Sequence, residues 1–320
     1  MIFFRPNIHR KEISTRKLLT LLILPSLIIV LLVIVGPVIF AFTLSFNEAT
    51  PRLGGIDLKW RGLMHYFNFF FKDAQFWLSV RITLYFTVVS LIIELILGTG
   101  IALVLNERFI GRSLVRAIVL IPWAVPTVVN ARLWEWIYAG SSFGALNGLL
   151  KVLGALPMDK NIIWLGFDVP LSNIPGISSF LSWMGVSRAL NMIILADTWK
   201  VTPLVILLVL AGLQSIPKNL YEVASIDGAN AWKRFWSITV PYLKPVFLVI
   251  LVLRTMELFR VFDIIYILMQ YSIRVVGILT YETGMKFLRF GKGSALSFLV
   301  ALFILGFTLI YIKIFYREEV

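Results

Sequence analysis

Six long apolar stretches, separated by polar or basic runs, set the pattern of this chain, at about 18–46, 77–105, 114–138, 190–213, 239–269 and 294–315. A helix rises about 1.5 Å per residue, so each is long enough to cross a hydrocarbon core about 30 Å thick. The pattern predicts an all-α, polytopic membrane protein with six transmembrane helices. Residues 1–17 form a basic N-terminal segment, 18–316 one transmembrane domain and 317–320 a short tail. The first stretch follows Arg5, Arg10, Lys11, Arg16 and Lys17. It is longer than a signal-peptide core and lacks a small-residue cleavage site, so it reads as a retained span.

Basic residues also gather in two short loops, one with Arg108, Arg112 and Arg116, the other with Lys218, Lys233, Arg234 and Lys244. The positive-inside rule places both loops in the cytoplasm, and an even number of spans puts both termini there too. Arg274, Lys286, Arg289 and Lys292 then lie outside, against the rule. The segments Asn47 to Phe76 and Ala139 to Arg188 are not spans. With Trp60, Tyr66 and Phe67 in the first and Pro157, Pro170 and Pro175 in the second, they read as outer surface lying against the membrane. No repeat or low-complexity linker divides the chain.

Composition narrows the function classes. With 59% hydrophobic and 15% charged residues, the chain belongs in a bilayer. Its net charge of +13 raises the question of nucleic acid, but the basic residues lie between apolar segments rather than in one stripe, which fits anionic membrane lipid instead. The absence of cysteine excludes disulfides, thiolate metal sites and cysteine nucleophiles. Gly140, Ser142 and Gly144 match G-x-S-x-G, yet an apolar span precedes them, and the two histidines, His9 and His65, fall on opposite sides of the membrane. No phosphate-binding G-x-x-x-x-G-K-[ST] loop occurs, so the chain is expected not to hydrolyse ATP alone and to hold no cofactor.

The stretch 216–238 is the longest polar interruption with a helical pattern. Pro217 suits a first helical position, and Leu220, Val223 and Ala224 share one face. Gly228 is placed to end that helix in a left-handed turn, and Asn230 to cap a second short helix bearing Trp232, Phe235 and Trp236. Pro241 and Pro245 open the next apolar stretch. Periodicity leaves two readings open: a knob for a socket on another protein, and an interfacial helix on lipid headgroups.

Charges inside spans are costly and mark function by default. Arg254, Glu257, Arg260 and Asp263 follow one another at three-residue steps in the fifth stretch, a formally neutral ladder that could lock the span into its bundle. Asp197 and Lys200 in the fourth stretch come to a similar outer-half depth as Arg254, so polar groups from two spans could meet at one height. Arg132 and Glu135 can pair locally; Glu94 has no local partner and reads as a buried, hydrogen-bonded acid.

Glu222, Ala224, Asp227, Gly228, Ala229, Phe235, Ile238, Pro241 and Pro245 resemble the "EAA" loop of permease subunits of binding-protein-dependent ABC importers, most closely the carbohydrate-uptake class. Leu105 to Pro126 and Trp199 to Glu222 resemble the same class, while Val223, where the class more often has alanine, and the long stretch from Val169 to Arg188 depart from it. The resemblance implies a second permease subunit of a different chain, two cytoplasmic ABC ATPase subunits that bind the ATP and Mg, and an external solute-binding protein delivering a di- or oligosaccharide. In the coupling loop, Ala224, Asp227 and Ala229 belong to the motif, and it casts Glu222 as a polar contact with the ATPase. It also assigns Gly228 to the turn, and Trp232 and Phe235 to packing of the knob. Matched to importers of the maltose type, sugar-lining positions fall at Asp197, Val201, Leu204, Arg254, Leu258 and Val261, with Lys200 and Glu257 as neighbouring polar groups. An ion-coupled secondary transporter, using Glu94, Asp197 and the fifth-span charges, is the alternative, and a membrane-bound enzyme the third class.

Overall fold

The computed structural model describes residues 15–315. Arg5, His9, Arg10, Lys11 and the tail at 317–320 lie outside the described residues, as do the side chains of Arg16 and Lys17.

Helices α1 (Thr15–Ile29) and α2 (Gly36–Ser45) join through a π-helical turn into the first span. A polar hairpin follows, β1 (Asn47–Arg52) against β2 (Gly55–Trp60), antiparallel with Asn47 opposite Trp60. Then come α3 (Met64–Phe71), α4 (Ala74–Asn106), α5 (Arg112–Ala124), α6 (Thr127–Ile137), α7 (Ala145–Val152), α8 (Pro175–Trp183) and α9 (Arg188–Ser215). The chain continues with α10 (Lys218–Ile226), α11 (Ala231–Arg234), α12 (Val240–Phe259), α13 (Asp263–Met269), α14 (Val276–Tyr281) and α15 (Phe290–Phe315). Among the described residues five helical segments are long and apolar enough to cross a membrane, and a bent pair makes a sixth if counted as one.

That pair corrects the expected third span. α5 and α6 meet at 94° instead of running straight. Pro126 is the cause: a proline disfavours the helical region for the residue before it, and Val125 is extended at ψ 125°. The fifth span is corrected at both ends. A π-helical turn at Phe235–Thr239 joins α11 to α12, so the second short helix expected in the loop is the first turn of one helix, Ala231–Phe259. At the far end the helix stops at Phe259 rather than 269, and Asp263 opens a separate helix, where a carboxylate is favoured by the free N–H groups of the first turn. The three-residue ladder is therefore interrupted at Arg260.

The bundle is built around α4 and α9, which run parallel: Tyr85 donates to Asn191 at 2.9 Å near one end and Gly98 meets Val205 near the other. The approach at Gly98 is so close that a Cβ there would lie 2.5 Å from Val205 Cγ1. α12 runs back antiparallel, with Leu243 and Val246 against Gly212. Ala102, Val205, Ile206, Val209, Leu243 and Ile250 fill the seam, all but excluded from solvent. The hairpin rests on the start of α15, where the Asn47 carbonyl occupies the space that a side chain at Gly291 would need. The two ends of the bundle thus differ: one carries the hairpin, α3 and α8, the other the α10–α11 turn.

Candidate functional site

At the centre of the bundle one guanidinium serves three carboxylates. Arg254 on α12 donates to Glu94 on α4 through Nε at 2.8 Å and Nη2 at 2.7 Å, in a two-pronged fork. Nη2 also reaches Asp197 Oδ2 on α9 at 3.1 Å, and Nη1 pairs with Glu257 one turn along α12. The Glu94 side chain is 0% exposed and that of Arg254 4%, whereas Glu257 is 52% exposed. Glu94 is thus the buried, hydrogen-bonded acid expected, its partner lying 160 residues away on another helix. Glu257 makes one of the two contacts its spacing allowed; Arg260 instead donates to the Met256 carbonyl.

The exposed side of this cluster lines a cavity of about 520 Å³. Asp197, Lys200 and Val201 come from α9, Arg254, Glu257 and Leu258 from α12, and Val261 from the loop beyond. Seven of the eight expected pathway positions thus share one wall; Leu204, a turn farther along α9, does not line it. At about 1.5 Å per residue, Arg254 lies roughly 8 Å from the end of α12 and Asp197 roughly 14 Å from the start of α9, well inside the bundle. Trp123 and Thr127, from either side of the α5–α6 break, and Phe262 join the lining, with Arg260, Asp263 and Ile264 beside them. Sequence reasoning missed Trp123, Thr127 and Phe262; the signal was Pro126, which turns α6 across the bundle and brings Thr127 to within 2.5 Å of Lys200 Nζ. Asp197 Oδ1 and Glu257 Oε1 have no hydrogen bond to protein among the described residues, so the cavity presents free acceptors, an ammonium donor and aromatic faces together. That combination suits a hydroxyl-rich, uncharged solute.

The second constellation lies at the end of the bundle away from the hairpin. α10 closes with a complete Schellman motif: Gly228 N–H donates to the Ser225 carbonyl at 3.1 Å and Ala229 N–H to the Ala224 carbonyl at 2.9 Å. Gly228 holds φ 75°, with nothing within 4 Å of where a Cβ would sit. Asn230 Oδ1 then accepts from Lys233 N–H at 2.8 Å and starts α11. Pro217 precedes α10 rather than standing in its first turn. Arg234 donates to Ser225 Oγ at 2.8 Å, and the Tyr221 and Thr239 hydroxyls share a hydrogen bond of 2.9 Å, tying the turn to the base of α12. Glu222, Asp227, Gly228 and Trp232 are exposed, while Ala224, Ala229 and Phe235 are half-buried. Trp232, Phe235 and Trp236 pack ring to ring.

Near the hairpin, Arg274 and Lys286, two of the cations that opposed the expected orientation, converge on Glu282 at 3.0 and 3.4 Å. The G-x-S-x-G segment is a turn in which Ser142 accepts from Lys151, with no histidine in contact among the described residues. Glu48 is held below the usual carboxylate range by Arg61, first through a hydrogen bond and then by its charge. His65 is buried, which lowers its pKa against the opposing pull of its hydrogen bond to the Asn47 carbonyl.

Comparison with known proteins gives these constellations a setting. The family described as "Binding-protein-dependent transport system inner membrane component" matches residues 94–316. The trehalose/maltose transport system permease protein MalF of Thermococcus litoralis is 42% identical over 305 residues, covering 93% of each chain. The trehalose transport system permease protein SugA of Mycobacterium tuberculosis is 34% identical over 310 residues, 95% of this chain and 90% of that one. Among solved structures, a chain of a bacterial ABC transporter involved in the import of the acidic polysaccharide alginate superposes with a TM-score of 0.75 at 25% identity, over 97% of this chain and 99% of its own.

Proposed function

The chain belongs to the family of binding-protein-dependent transport system inner membrane components, and from that premise we propose that it is the permease half of an ATP-driven importer for a neutral di- or oligosaccharide. The observation that carries the reading is the polar cavity inside the bundle, which carboxylate acceptors, the Lys200 ammonium and the Trp123 and Phe262 rings line together. The names of the trehalose and maltose relatives support the choice of sugar. In this account an external solute-binding protein delivers the sugar at the hairpin end, and a second, different permease chain closes the path. Two cytoplasmic ATPases, carrying ATP and Mg, grip the α10–α11 turn. Glu222 and Asp227 offer polar contacts there, Gly228 provides the backbone turn, and Trp232 and Phe235 stiffen the junction with α12. The helix from Ala231 to Phe259 joins that turn to the cavity wall, so movement of the turn tilts Arg254, Glu257 and Leu258.

The test is to narrow the cavity from its loop side with Val261→Trp in the reconstituted importer. Uptake of trehalose or maltose is expected to fall at least tenfold while the ATPase still co-purifies. Unchanged uptake of both sugars would take the path out of this cavity.

A further inference from the structure

Glu94 does not line the cavity, yet it decides the cavity's charge. On the wall itself Asp197, Glu257 and Asp263 are matched by Lys200, Arg254 and Arg260, so the lining is formally neutral. Behind the wall the buried carboxylate of Glu94 takes two of the Arg254 N–H groups in its fork and adds one negative charge to the group. Both are withdrawn from water, so neither charge is dissipated by solvent, and the fork engages Nε and Nη2 of the guanidinium in a fixed plane.

We propose that Glu94 is a specificity-determining residue that makes the pathway select uncharged saccharides over acidic ones. By occupying Arg254 it withdraws one of the two planar cations on the wall from an incoming carboxylate; the other, Arg260, already gives its Nε to the Met256 carbonyl. By its own charge it leaves the Asp197 and Glu257 carboxylates in excess, and these accept hydroxyl protons from a neutral sugar but repel a uronate. Removing the Glu94 charge weakens the fork and leaves the charge of Arg254, which lines the cavity, less fully neutralised. The arginine keeps Asp197 and Glu257 as partners, so the change alters charge without leaving a buried cation alone.

The inference rests on the cavity being the sugar path, and its test separates the two. The complete importer, held in lipid nanodiscs without the solute-binding protein, is titrated with trehalose and with trehalose carrying one primary hydroxyl oxidised to a carboxylate. The unaltered complex is expected to bind trehalose the more tightly. Glu94→Gln is expected to shift the ratio of the two affinities toward the acidic sugar by roughly tenfold, the order given by one unit charge at cavity range. Glu94→Asp, which keeps the charge, is expected to hold the original ratio; a purely structural role for Glu94 would weaken both sugars together in either variant. Trehalose binding with a ratio unmoved by Glu94→Gln overturns the proposal and leaves the sugar path standing. Loss of trehalose binding from Val261→Trp alongside it confirms that the cavity is the site being read, and trehalose binding indifferent to Val261→Trp overturns both.

Discussion

Arg254 is the residue on which the interior depends. Three carboxylates share it, two of them buried, so its removal strands charge in the bundle, whereas removal of any one carboxylate leaves the cation paired. Arg254→Leu is expected to cost about 3–5 kcal/mol, the usual penalty for breaking a buried ion pair from one side, and Glu257→Gln much less because Glu257 is half in solvent. Thermal unfolding of the detergent-purified protein checks the order; equal effects would contradict it. Of this cluster, the Arg254–Glu257 pair was legible from three-residue spacing. Its anchor was not: helical periodicity relates neighbours on one helix, and Glu94 meets Arg254 only because α4 and α12 are packed side by side. His65 gives the second residue-scale expectation. Its folded pKa lies below the unfolded value of 6.5, so the hairpin corner has its full stability above about that pH and loses it as pH falls through the lower folded value. Amide exchange across residues 47–60 is expected to speed up between pH 7.5 and pH 5 beyond the intrinsic change, and His65→Gln to flatten the response. An equal pH response in both proteins would contradict it.

At the scale of elements, the α10–α11 turn was the most legible part of the chain because every signal in it is local. Gly228 in the left-handed region and Asn230 as a cap need only the residues beside them, and the Schellman hydrogen bonds follow. Substituting alanine at Gly228 meets open space but an unfavourable φ, so a penalty of about 1 kcal/mol confined to the turn is expected. Gly228→Ala should leave the bundle's unfolding temperature nearly unchanged and raise proteolytic nicking between Ile226 and Asn230; a large drop in unfolding temperature would contradict a locally stored cost. The elements misread from sequence are those set by tertiary contact or by one residue. Val125 before Pro126 breaks the third span, although the apolar run continues through it. The hairpin at 47–60 puts Ala49, Pro51, Ile56 and Leu58 on one face and Glu48, Thr50, Asp57 and Lys59 on the other, an alternation too short to stand out in the sequence, and it rests on Gly291. The π-helical turn at 235–239 makes one helix of two, which no pattern of apolar residues reveals.

For the whole molecule, one continuous helix, Ala231–Phe259, joins the turn at one end of the bundle to the cavity inside it. The six apolar stretches and their separation were plain in the sequence because the bilayer demands about 20 apolar residues of every span. The cavity was half legible: matched offsets placed α9 and α12 residues on one wall, while α5, α6 and the Glu94 backing required the fold. The central claim is that movement of the α10–α11 turn drives the cavity, and Gly228→Pro tests it most directly, since proline fixes φ near −65° and cannot occupy the φ of 75° found there. The measurement is ATP hydrolysis by the complete importer in nanodiscs, stimulated by sugar-loaded binding protein, with co-purification of the ATPase scored on the same samples. The variant is expected to insert and to retain its second permease, but to lose the ATPase or the stimulation. Normal stimulated hydrolysis with a full complement of ATPase would contradict the account.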